Sequence, residues 1–196
     1  MAKTLGIEDE KIRQSISSFK GIIGRMEEIG TRKDFRIFID FAHKPNALQS
    51  VLKTADNMIS GKLIVVFGCA GLRDRLKRPM MGKIAAGLAD YVVLTAEDPR
   101  TEDVRDIIDQ IARGAISGGA READKLKSVS SYLDNGKKYF WRIPDRQEAI
   151  NFAVRKIARR GDLILIAGKG HEKSMCYGSV EYPWDEVNAV KKALND

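Results

Sequence analysis

Residues 63–100 read LIVVFGCAGLRDRLKRPMMGKIAAGLADYVVLTAEDPR. Two short runs in this stretch, Leu63–Phe67 and Tyr91–Leu94, lack the alternation of a strand with one wet face. Between them, Pro79 to Leu88 suits a helix, and Pro79 fits its first turn, where no N–H partner is needed. Strand, helix and strand, with the strands apolar on both faces, predict one βα repeat of a parallel sheet. Each strand then empties into a polar loop, GCAGLRDRLKRP from Gly68 and AEDPR from Ala96.

The same alternation extends in both directions. Upstream, the run Phe35–Ile39 leads into DFAHKPN from Asp40 and a helix from Pro45 to about Ile59. Downstream come a helix from Asp103 to about Gly114, a strand near Lys138–Arg142, a helix from Asp145 to Arg159 and the run Leu163–Ala167, followed by GKGHE from Gly168. Asp145 is an N-cap candidate. With right-handed crossovers the expected fold is α/β, a Rossmann-like, mostly parallel sheet with helices on both faces. Before it, Ile7 to Phe19 shows helical spacing and runs into Gly21, Gly24 and GRMEEIG, which reads as a short helix and a hinge occupying residues 1–33. The polar stretch from Ser117 to Gly136 is expected to hold a mobile loop, and the tail from Met175 a hairpin and a final helix that starts near Asp185. Tyr182 and Trp184 read as packing for that hairpin.

Composition narrows the functional classes. The chain has 196 residues, 43% of them hydrophobic, enough for a real core. It contains no apolar run of the roughly 20 residues that cross a bilayer, so the expectation is a soluble cytoplasmic protein with no membrane partner. Cys69 and Cys176, the two cysteines, read as reduced thiols. A formal net charge of +7 is compatible with nucleic acid or a small anion. The densest basic cluster, Arg73, Arg75, Lys77 and Arg78, lies inside one strand-end loop rather than along a helix, which favours a small anionic ligand and no nucleic acid.

Parallel strands send all four loops to one sheet edge, where α/β folds place ligands. There, Arg73 and Arg100 offer planar forks for carboxylate or phosphate, while Glu97, Asp98 and Glu172 offer negative charge for an ammonium group. That mixture suits a zwitterion such as an amino acid. The surface alternative for Glu172 is an acid capping a turn. The glycines of GKGHE let backbone approach a ligand closely, yet Glu172 stands where a phosphate loop needs Gly before Lys-Ser, and no other segment completes that pattern. Asp40 has two readings, acceptor of ribose hydroxyls or helix cap. His43 and His171 lack further ligands at metal spacing and read as loop organisers or nucleotide contacts, so no metal is expected.

The segments GRMEEIG, DFAHKPNAL, VVFGCAGLRDRLKRPMMGKIA, LTAEDPRTED and LIAGKGHE, in that order, resemble the C-terminal part of the Mur ligases. Within that family they are most similar to the members that add the third stem-peptide residue in peptidoglycan synthesis. The resemblance implies an ATP-dependent amide ligase, with residues 1–33 the end of a central ATP-binding domain plus hinge and residues 34–196 the C-terminal amino-acid-binding domain. It implies that ATP and Mg²⁺ serve the full-length enzyme, that UDP-N-acetylmuramoyl-dipeptide and ATP engage domains absent here, and that this monomeric fragment is inactive alone, with no catalytic residue of its own.

By resemblance, Arg73 grips the amino acid's carboxylate, Arg100 of the Glu97-Asp98-Pro99-Arg100 segment the distal carboxylate, and Gly168 and Glu172 the distal amino end. Arg25, Asp40 and His43 would face the nucleotide. Two departures stand out: Glu97 and Asp98 replace Asp and Asn of the usual D-N-P-R, and Lys44 and Asn46 replace Thr and Asp of Y-A-H-T-P-D. The added acid favours a more cationic side chain, whereas Arg100 favours meso-diaminopimelate over lysine. The rival reading is a non-catalytic Rossmann-type module that binds a nucleotide or anion.

Overall fold

A computed structural model describes every residue except Lys20, Lys125, Leu126, Asp134, Asn135 and Asp196. Seven strands form one sheet in the order β1-β2-β7-β3-β4-β6-β5. They are β1 (Glu27–Ile29), β2 (Arg36–Asp40), β3 (Leu63–Phe67), β4 (Tyr91–Leu94), β5 (Arg121–Glu122), β6 (Tyr139–Arg142) and β7 (Leu163–Ala167). Only β1 runs antiparallel to its neighbour. Every residue of β3 and β7 is fully buried, which is why their sequences show no alternation.

Helices cover both faces. On one side lie α2 (Pro45–Asp56), α3 (Lys77–Leu88) and α4 (Val104–Ser117), which contribute Leu52, Met81 and Ile111 to a core completed by Val65 and Leu165. On the other lie α5 (Arg146–Phe152), a π-helical extension over Ala153–Ile157, and α6 (Glu186–Asn195), packed through Ile150, Ile157 and Val190 on Ile64 and Trp141. Asp145 Oδ1 accepts the Glu148 N–H and Asp185 Oδ1 the Asn188 N–H, so both expected acids cap their helices. A separate hairpin, β8 (Ser174–Tyr177) with β9 (Val180–Pro183), lies between β7 and α6. Trp184 packs on the second core and donates to Glu186, while Tyr182 meets Tyr177 edge-on at 6.2 Å between ring centroids.

Some boundaries differ from the sequence expectation. The segment read as a hinge contributes edge strand β1, which is held by the Glu28–Arg36 pair at 2.7 Å across the strands. Helix α3 starts at Lys77, two residues before Pro79, because the first turn of a helix needs no internal N–H partners. Asp40 is the last residue of β2 rather than the first of its loop. The stretch expected to be mobile holds β5 and a 3-10 turn at Val129–Ser131, and its remaining positions 125, 126, 134 and 135 lie outside the described residues. Helix α1 (Asp9–Ser17) buries none of its residues, leaving Ile16 and nearby Phe19 exposed. Among the described residues no helix is long and apolar enough to cross a membrane.

Candidate functional site

The loops after β2, β3, β4 and β7 open into one cleft of about 850 Å³. Its wall includes Arg73, Arg100, Glu97, Asp98, Glu172 and His43, residues brought from all four loops. Close backbone contact makes this possible. Gly71 N–H donates to Asp98 O at 2.9 Å, Arg100 Nη1 donates to Gly71 O at 2.9 Å, and a Cβ on Gly71 would lie 1.8 Å from Pro99 O. Pro99 therefore sets the approach of two loops. Asp98 and Arg100 occupy the left-handed region with φ of 46° and 53°, a conformation that costs a non-glycine residue about 1 kcal/mol or more. Hairpin β8–β9 holds it, since Arg100 N–H donates to Cys176 O and Gly178 N–H donates to Arg100 O.

The basic cluster divides its labour differently from the sequence expectation. Arg78 is fully buried and donates to both Glu102 oxygens, Gln110 and Ala70 O. It holds the Glu102 carboxyl down to about 2, helped by the Leu72 N–H. Lys77 Nζ donates to His43 O at 2.7 Å, and Arg75 pairs with Glu102 at 3.2 Å. Arg73 alone of the four is exposed on the cleft wall without a side-chain partner among the described residues. Three of the four cations therefore build the loop, and Arg73 stays open to the cleft.

Two further buried cations escaped the sequence reading. Lys169, 1% exposed, contacts Asp98 Oδ1 and Oδ2 at 2.8 and 2.9 Å and Glu172 Oε2 at 2.8 Å. Arg146, also 1% exposed, donates to Ala96 O at 2.9 Å, to Ala167 O at 3.0 Å and to both oxygens of Glu186. It staples the ends of β4 and β7 next to the loops they launch. Glu97 lies between these cations, 6% exposed, with Oε2 lacking a hydrogen-bond partner among the described residues. Burial pushes its carboxyl up to about 7 against the opposing pull of Lys77, Arg146 and Lys169. Gly168, with φ of 111°, fits against this carboxylate rather than on the cleft wall.

Two of the residues expected to face a nucleotide, Arg25 and His43, meet around one ring. Arg25 lies 4.6 Å over Phe41, which also meets His43 at 4.6 Å and His171 at 5.1 Å. His43 Nδ1 is bonded to Phe41 O at 3.0 Å. Asp40 does not cap α2: Oδ2 accepts the Met26 N–H and Oδ1 the Ala42 N–H, both at 2.8 Å, so it ties the GRMEEIG segment to the end of β2. Each oxygen retains a lone pair, but the group is 7% exposed. Both cysteines are free and buried, and burial raises the Cys69 thiol far above its usual range. Among the described residues no group of three or more His, Cys, Asp or Glu gathers as a metal site.

Comparison with known proteins follows the same outline. The chain is 38% identical over 192 residues to a UDP-N-acetylmuramoyl-L-alanyl-D-glutamate--2,6-diaminopimelate ligase of Geobacter metallireducens, covering 98% of this chain and 37% of that protein. It is 39% identical over 189 residues to a UDP-N-acetylmuramyl-tripeptide synthetase of Roseiflexus sp., covering 96% and 34%. A solved UDP-N-acetylmuramoyl-L-alanyl-D-glutamate--2,6-diaminopimelate ligase superposes with a TM-score of 0.73 at 34% identity, covering 99% of this chain and 36% of that one. The chain thus spans little more than a third of the length of these relatives. A UDP-N-acetylmuramate-alanine ligase from Thermotoga maritima, 16% identical with a TM-score of 0.59, shares the fold. The family model described as Mur ligase, glutamate ligase domain matches residues 24–170, from the GRMEEIG segment into GKGHE, and the chain belongs to that family.

Proposed function

We propose that this chain is the amino-acid-orienting domain of an ATP-dependent amide ligase that adds a diamino acid, meso-diaminopimelate, to UDP-N-acetylmuramoyl-L-alanyl-D-glutamate in peptidoglycan synthesis. The observation that carries this reading is the meeting of Arg73, Arg100 and Glu172, from three separate loops, on one cleft wall. Arg73 would hold the α-carboxylate and Arg100 the distal one. Arg100 spends Nη1 on Gly71 O, and its other guanidinium N–H groups have no side-chain partner among the described residues, so they remain for a carboxylate. Glu172, on the same wall, suits the distal ammonium.

In the whole protein, ATP and Mg²⁺ would activate the peptide carboxylate. The residues of this chain instead orient the attacking amine, an effect worth roughly 7–11 kcal/mol at best. The chain has no phosphate loop, so gripping the ATP phosphates falls to other parts of the protein. Arg25, Asp40 and His43 form the side that faces the nucleotide on domain closure. The test is calorimetric titration of the chain with meso-diaminopimelate. Binding that falls about tenfold or more in both Arg73→Ala and Arg100→Ala, as expected for losing a charge-assisted carboxylate contact, supports the reading. Binding unaffected by either substitution refutes it.

A further inference from the structure

Lys169 is the second residue of GKGHE, and its ammonium is already held by the two carboxylates that a diamino acid's side-chain ammonium would seek. It is 1% exposed, touches both oxygens of Asp98 at 2.8 and 2.9 Å and reaches Glu172 Oε2 at 2.8 Å. Asp98 Oδ1 also accepts the Cys176 N–H at 2.9 Å, so this carboxylate is held from two directions. The side chains of Asp98 and Glu172 are 14% and 39% exposed, leaving Glu172 the more accessible. A buried ammonium between two carboxylates leaves the trio with a single net negative charge.

Charge balance makes this arrangement selective. Arg100, on the same wall, brings the sum over Lys169, Asp98, Glu172 and Arg100 to zero, and the neighbouring Glu97 is a buried carboxyl raised to about 7. A neutral end matches a side chain that finishes in both a carboxylate and an ammonium, as in diaminopimelate. It is poorly matched to lysine, whose side chain ends in an ammonium alone. The acid at position 98 would, taken by itself, favour a cationic side chain, but its charge is already spent on Lys169.

We propose that Lys169 is a specificity-determining residue, an internal counter-ion that tunes the cleft away from purely cationic side chains and toward a zwitterionic one. This rests on the amino-acid-binding reading above and adds to it the residue that sets the choice. The structure gives the inference opposite-signed consequences. Removing the Lys169 charge leaves the distal end net negative and favours lysine. Removing the Glu172 charge leaves it net positive and disfavours lysine further.

The test is ligand-observed NMR titration of the chain with meso-diaminopimelate and with L-lysine, the reported quantity being the ratio of the two affinities. A folding defect lowers both affinities together, whereas a changed charge balance moves their ratio. Lys169→Met is expected to shift the ratio roughly tenfold toward lysine, and Glu172→Gln several-fold in the other direction, as one charge seen at surface-like dielectric allows. Lys169→Arg, which keeps the charge, is expected to retain the wild-type preference. Should Lys169→Met fail to fold, Lys169→Gln, which removes the same charge but keeps a donor for Asp98, is measured in its place. An unchanged ratio in folded variants, with the wild type still binding diaminopimelate, overturns the role of Lys169 alone. A wild type that binds neither amino acid overturns the amino-acid-binding reading and this inference together.

Discussion

Replacing Arg146 by methionine should destabilise the fold far more than an ordinary substitution, and the structure sets the scale. The guanidinium is 1% exposed and serves Ala96 O, Ala167 O and the Glu186 carboxylate, itself 1% exposed. Methionine fills much of the volume but strands a buried carboxylate, a situation that costs about 3–5 kcal/mol. Two carbonyls also lose a donor, each worth about 1 kcal/mol. The expected loss is therefore on the order of 5–7 kcal/mol, against a total stability of roughly 5–15 kcal/mol for a domain. Urea unfolding of wild type, Arg146→Met, Glu186→Gln and the double variant closes a double-mutant cycle. Glutamine keeps an acceptor for the Trp184 indole N–H. The double variant should recover about 2 kcal/mol or more relative to the sum of the single losses, because the stranded charge is gone. A cost below about 1 kcal/mol for Arg146→Met, or additivity within about 0.5 kcal/mol, would refute the staple.

Other perturbations probe the cleft directly. Glu97 should make stability fall as pH rises: its carboxyl is displaced from 4.5 to about 7, so the folded state retains a proton that the unfolded chain releases in that window. The stabilisation is complete below about 4.5 and lost through about 7, up to about 3 kcal/mol, and Glu97→Gln should flatten this part of the pH profile of chemical denaturation. An unchanged slope would place the proton elsewhere. Gly71→Ala puts a Cβ 1.8 Å from Pro99 O, forces the two loops apart, and should lower Tm by several degrees while weakening diaminopimelate binding. Normal melting and binding would show that the contact is dispensable. The chain alone should form no amide from ATP, UDP-N-acetylmuramoyl-dipeptide and diaminopimelate; steady phosphate release coupled to product in a coupled assay would contradict the division of labour proposed here.

The sheet was legible because its central strands carry their own signal. Leu63–Phe67 and Leu163–Ala167 are apolar throughout and bounded by glycine, so strand, direction and loop edge follow from local sequence. Strand β1 was not legible: it has three residues, two of them glutamates, and exists through pairing with β2. The π-helical end of α5 likewise has no periodic signature distinct from an α-helix. At the cleft, the exposed forks Arg73 and Arg100 could be picked out by residue type and position at a strand end. Lys169, Arg146 and Arg78 could not, because a charged residue becomes buried only through partners distant in the chain: Asp98 lies 71 positions from Lys169, and Glu186 lies 40 from Arg146. The one available hint was composition, since loops so dense in both signs must satisfy most of their charges internally.

The central claim is that three loops act as one receptor for a doubly charged amino acid. Amide chemical-shift mapping on the isotopically labelled chain, titrated with meso-diaminopimelate, tests it most directly. The account predicts that amide signals of residues 71–73, 98, 100 and 168–172 move together along a single saturation curve. Shifts confined to one of these loops, shifts clustered on another face of the sheet, or no shifts at millimolar ligand would contradict it.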